Sequence, residues 1–219
     1  MRFPWLMTSA VTMILVMVVA YAMLLRVPRH RWRLHGLLHA SIGLALVVEV
    51  VGRVMASNSM NSIALYNLFL PVEFLLVLGM VAQVRPAWRW RLVAGAAIGL
   101  AGWAGCWIMT RSLSFLLIEG ALLISLVLSF TLMATLWSLA NTSERPLARV
   151  PEFWLYMGML VYFGGMMPVV GLVKFIFDQD PLVAARLWMI LPVLCMVRYA
   201  LTAYACRMAA KELSVDHER

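Results

Sequence analysis

The chain reads as an all-α integral membrane protein, a bundle of seven transmembrane helices with its N-terminus outside and its C-terminus in the cytoplasm. Three observations predict this. Seven apolar stretches, each near the roughly 20 residues that a bilayer core demands, fill almost all of the 219 residues. Hydrophobic residues make up 64% and charged residues 13%, too little polar surface to keep a soluble domain of this length dissolved. Lysine and arginine are also spread unevenly between alternate connections.

The spans follow in order, each closed by loop punctuation. Span 1 covers 5–25 and ends at Arg26, Val27, Pro28 and Arg29. It is too long for a cleavable signal peptide and lacks an A-x-A-like site followed by a soluble domain. Span 2, 34–56, stops at Ser57, Asn58 and Ser59, and span 3, 62–84, at Arg85 and Pro86. Span 4, 92–110, meets span 5, 113–139, across the weakest break, Thr110, Arg111 and Ser112. Asn141, Thr142, Ser143 and Pro146 precede span 6, 152–176. Asp178, Gln179, Asp180 and Pro181 precede span 7, 182–206, and a short cytoplasmic tail fills 207–219.

Orientation comes from the charge count. One side carries Arg26, Arg29, Arg31, Arg33, Arg85, Arg89, Arg91, Arg145, Arg149, Arg207, Lys211 and Arg219; the other carries Arg2, Arg53, Arg111, Lys174 and Arg186. Twelve against five places the first set in the cytoplasm of a multi-pass inner-membrane protein. The same distribution explains the net charge of +8 without a nucleic-acid partner, because the basic residues lie in loops rather than on one face. Trp5, Trp32, Trp88, Trp90, Trp137 and Trp154 fall near predicted interfaces. Leu70, Pro71 and Val72 in span 3 recur as Leu191, Pro192 and Val193 in span 7, a faint echo of a parallel repeat.

Ionisable groups inside spans are the candidate functional residues, since each costs a few kcal/mol unless it faces the bundle interior or a wet cavity. Glu49 and Arg53, four apart on span 2, can pair, and with His35 and His39 they share the stripe expected to turn inward. Tyr66 and Glu73 share a face of span 3 below Asn67. Ser112 is expected to stack with Glu119 on span 5. On span 6, Gly158, Tyr162 and Gly165 set a hydroxyl between two points of close backbone approach, while Pro168 and Gly171 weaken the outer turn. These residues suggest an outward-facing ligand pocket of Glu49, Arg53, Tyr66, Asn67, Glu73, Glu119 and Tyr162. A closed hydrogen-bond network that fixes helix packing is the alternative. Arg198 in span 7 reads as a side chain reaching to the inner interface past Thr202, with a gating or coupling residue as the alternative.

Other chemistries lack their residues. His35 and His39 are the nearest approach to a metal pair, but two imidazoles do not close a zinc site, and no cofactor is expected. Cys106, Cys195 and Cys206 lie in or beside spans with neither CxxC spacing nor a secreted framework, as packing residues do. Span 7 has no lysine for retinal, and neither a GxSG serine nor a phosphate-binding glycine loop is present, so no enzyme is predicted. Gly95 and Gly99 form a GxxxG face on span 4 through which two copies could dimerise.

Tyr66, Asn67, Glu73 and Phe74 in span 3, with Phe153, Trp154, Gly158, Leu160, Val161, Tyr162 and Phe163 in span 6, resemble an uncharacterised bacterial family of seven-helix membrane proteins. Its members look like small sensors or receptors and are often encoded near sensor histidine kinases. The resemblance implies a signalling context, with a sensor kinase or other membrane protein as partner. The reading is therefore a receptor module for a small ligand or lipid; a small-solute transporter or channel, or an assembly subunit, is the alternative.

Overall fold

The computed structural model describes residues 4–28, 32–113, 116–177 and 179–215. Among these the chain is helical throughout, with no strand. The helices are α1 (Pro4–Leu25), α2 (His35–Ser57), α3 (Ile63–Val84), α4 (Arg89–Thr110), α5 (Ile118–Thr142), α6 (Pro151–Phe177), α7 (Pro181–Leu187) and α8 (Ile190–Val215), with single 3-10 turns before α4 and α6. Among the described residues, six helices are long and apolar enough to cross a membrane, and Ser9–Leu25 of α1 is a shorter apolar helix. Their outward faces are apolar as well: Leu15, Val47, Val54, Val93, Ile98, Phe130, Leu172 and Phe175 are all exposed. Exposed apolar surface on nearly every helix calls for lipid rather than water around it. The chain is a multi-pass helical membrane protein.

Sequential helices pack on one another, and α8 returns to α1 to close a ring of α1, α2, α3, α5, α6 and α8. The fourth helix lies outside that ring against α3 and α5. Buried residues recur at helical spacing where each helix faces inward. On α2 these include His35, Leu38, Ile42, Ala45, Val48 and Gly52; on α5, Ala121, Ile124, Leu128, Leu132 and Thr135. Phe74, Met80, Tyr156 and Phe163 fill the centre. Tyr156 of α6 donates a 3.1 Å hydrogen bond across the ring to the Met80 carbonyl of α3.

Several expectations change here. The seventh span is two helices, broken at Trp188 and Met189. Pro192 explains the place: it supplies no N–H, and its ring crowds the carbonyl four residues earlier, that of Trp188. After the break α8 runs on to Val215, past the expected end at 206. The fifth span begins at Ile118 rather than 113, so Ser112 lies in the preceding loop rather than on the helix that carries Glu119. The inward stripe of α2 is rotated from the expected one, leaving Arg53 exposed. Trp32, just before α2, is buried against the protein and donates to Glu152 Oε1 at 3.0 Å. Finally, the glycine face of α4 is used within the chain. A Cβ at Gly99 would lie 2.6 Å from the Phe74 ring, and one at Gly95 3.3 Å from Val127. The close approach that GxxxG permits is made to α3 and α5 within the chain.

Candidate functional site

The centre of the bundle holds an ion pair. Glu73 on α3 and Arg198 on α8 are 3% and 2% exposed, and Arg198 Nη1 lies 2.6 Å from Glu73 Oε1. Sequence reasoning sent Arg198 to the interface; instead it turns inward because an oppositely charged partner waits there. A buried charge needs such a partner. The contact is close but out of line for a hydrogen bond, so Glu73 Oε1 and Arg198 Nε have no aligned partner.

Aromatic rings wall in the guanidinium. Its central carbon sits 5.0 Å from the ring centroid of Tyr162, 5.3 Å from Phe163 and 5.1 Å from Tyr199, all within cation–π range. Gly158 makes this enclosure possible. A Cβ there would come within 3.0 Å of the Arg198 carbonyl oxygen and 3.1 Å of Leu201 Cβ, so only glycine lets α6 lie this close to α8. Gly165, one turn beyond Tyr162, likewise receives Leu194. The expected glycine–tyrosine–glycine stripe is thus the α8-facing seam of α6. Thr202 donates to the Arg198 carbonyl at 2.9 Å, a bond within α8 that leaves the guanidinium to Glu73.

A second carboxylate stands beside the pair. Glu49 of α2 accepts a 3.3 Å hydrogen bond from Tyr66 of α3. Tyr66 rests in a notch at Gly52, where a Cβ would lie 2.6 Å from its hydroxyl. Glu49 is within electrostatic reach of both Glu73 and Arg53. Cys195, one turn before Arg198, is within reach of Arg198, Glu49 and Glu73. Four residues expected at one site, Glu49, Tyr66, Glu73 and Tyr162, are therefore brought together, and Arg198, Tyr199 and Cys195 join them.

Arg53 stands at the exposed margin of α2, within electrostatic reach of Glu49 and Tyr66. The other expected residues go elsewhere. Asn67 is buried and holds the loop between α4 and α5: its Nδ2 donates to the Leu113 carbonyl at 3.0 Å, and its Oδ1 accepts from Leu117 N at 3.2 Å. Glu119 is exposed in the first turn of α5, where a carboxylate suits the positive end of the helix dipole. His39 meets the Tyr21 hydroxyl at 3.0 Å, and its ring stacks near His35 with centroids 6.1 Å apart. No group of three or more His, Cys, Asp or Glu suited to a metal occurs among the described residues.

No family model matches the chain, and no curated protein or solved structure matches it. What the site can do must be read from its own chemistry. It offers one permanent cation, two carboxylates and three tyrosine rings, arranged across α2, α3, α6 and α8.

Proposed function

We propose that this protein is a membrane receptor module whose signal-receptive element is the contact between α3 and α8. The observation that carries the proposal is the Glu73–Arg198 pair at the bundle centre. A buried ion pair is a poor device for stability, because well-packed apolar residues of the same volume do as well or better. Its presence argues for an element that has a use beyond packing. Glu73 lies two residues after Pro71, and Arg198 lies six residues after Pro192, beside the α7–α8 break. Both helices are weakened close to the charge they carry, so modest shifts of either can make or part the pair.

Glu49 adds a second carboxylate within electrostatic reach of Glu73, so the charge balance at the pair depends on how α2, α3 and α8 sit together. A ligand that prefers one arrangement of these helices biases the equilibrium by its differential affinity. A small anionic or hydrogen-bonding ligand, or a lipid group, reaching Glu49, Tyr66 and Arg198 would have that effect. In this reading the N-terminus lies outside in the bacterial cytoplasmic membrane. The shift is read on the other side by a separate membrane or cytoplasmic protein such as a sensor kinase, in keeping with the family resemblance in spans 3 and 6.

The test is thermal unfolding of purified wild type and of Tyr66→Phe and Glu49→Gln variants against a panel of metabolites and lipids. A receptor gives at least one compound that raises the wild-type melting point by mass action and loses that effect in a variant that still folds. The same compound should show no flux into vesicles containing this protein alone; flux would make the site that of a transporter. If no compound shifts wild type and each variant merely melts earlier, the polar residues hold helices together and the receptor reading fails.

A further inference from the structure

An apolar groove runs along the outside of α5, away from the polar cluster. Phe130, Met133, Ala134 and Trp137 line its length, Trp88 flanks it, and Ser138 and Asn141 stand at one end. From Phe130 to Asn141 is eleven residues, about 16 Å along a helix, or half of the roughly 30 Å hydrocarbon core. The groove is thus about one leaflet deep, apolar towards mid-membrane and polar at its mouth.

The mouth is basic. Arg85, which ends α3, donates from Nη2 to the Thr142 hydroxyl at 2.8 Å, next to Asn141. Its Nε is buried with no hydrogen-bond partner. Arg89 follows Trp88 and opens α4, whose first turn has no acidic residue and no capping side chain. Arginines at the positive end of a helix dipole are unfavourable unless an anion offsets them. The connections at this end carry Arg85, Arg89, Arg91, Arg145 and Arg149 against Glu144 and Glu152, an excess of positive charge. Trp88 and Trp137 both line the groove, and indole rings favour the headgroup boundary.

We infer that this groove is a selective site for one anionic phospholipid. An acyl chain lies along Phe130, Met133 and Ala134 between the two tryptophans, and the headgroup phosphate is bound by Arg85 with Arg89 beside it. Apolar length alone would accept any lipid; the arginines at the mouth select for negative charge. One arginine near a membrane surface is worth about a five-fold preference for an anionic over a neutral lipid.

Native mass spectrometry of the full chain in detergent tests this, with phosphatidylglycerol and phosphatidylcholine of identical acyl chains as probes. Wild type should retain phosphatidylglycerol at least about five-fold better, and Arg85→Gln should lower that ratio about five-fold. Ala134→Trp, at an exposed position, fills the groove while keeping Arg85, and should lose the tightly held phosphatidylglycerol. Equal retention of both lipids by wild type overturns the site. So does full phosphatidylglycerol retention by Ala134→Trp, which would place the lipid elsewhere and stays readable even if Arg85→Gln does not fold.

Discussion

Replacing Glu73 by glutamine keeps the shape of the side chain and removes only its charge. Arg198 would then be a guanidinium 2% exposed, with no carboxylate at 2.6 Å and only the rings of Tyr162, Phe163 and Tyr199 for compensation. Breaking a buried pair in this way costs about 3–5 kcal/mol. The three rings, each worth up to about 2 kcal/mol to a desolvated cation, place the expected loss at the low end, about 3 kcal/mol. For a chain of this size that lowers Tm by on the order of 10 °C. Replacing both partners, Glu73→Leu with Arg198→Met, removes the unpaired charge and should return stability to within about 1 kcal/mol of wild type. The assay is unfolding of the detergent-solubilised protein followed by helical circular dichroism for the wild type, Glu73→Gln, Glu73→Leu, Arg198→Met and the Glu73→Leu/Arg198→Met double. The reasoning is refuted if Glu73→Gln costs less than about 1 kcal/mol, or if the double variant loses the sum of the two singles, since contacting residues must couple.

Gly158→Ala should cost about 1–3 kcal/mol in the same assay, because the new methyl meets the Arg198 backbone at 3.0 Å; an unchanged melting point would mean α6 and α8 are looser than described. Gly99→Leu should also lower stability by overfilling the Phe74 contact, while sedimentation of the purified protein stays as in wild type; altered association would show an intermolecular role for that face. Asn67→Ala should speed amide exchange around Leu113 and Leu117, whose backbone groups it holds. Exchange unchanged there would show the loop is held by other contacts.

The membrane class and most helix ends were legible because loop punctuation and apolar length are local properties. Span 2, expected at 34–56, is found at His35–Ser57, and span 3, expected at 62–84, at Ile63–Val84. What was not legible is which residues meet across the ring. Apolar residues surround α3, so periodicity could not say which way Glu73 points, and Arg198 lies 125 positions further on. A charge near a helix end reads as a residue escaping to the interface until its partner is known. The Trp188–Met189 break was within reach, since Pro192 is visible in the sequence, but a proline in a transmembrane helix often kinks without breaking it, as Pro71 and Pro168 do not interrupt α3 and α6. Glu119 was misplaced by the five-residue error in the start of α5, which moved it from helix interior to first turn.

The most direct test of the receptor reading is the melting point of wild type beside Glu49→Gln across the metabolite and lipid panel. Glu49 is half-buried and held by one 3.3 Å hydrogen bond, so its amide variant should fold with nearly the wild-type Tm. The account predicts at least one compound that stabilises wild type and leaves Glu49→Gln unmoved. A panel in which every compound shifts both proteins equally, or neither, would contradict it.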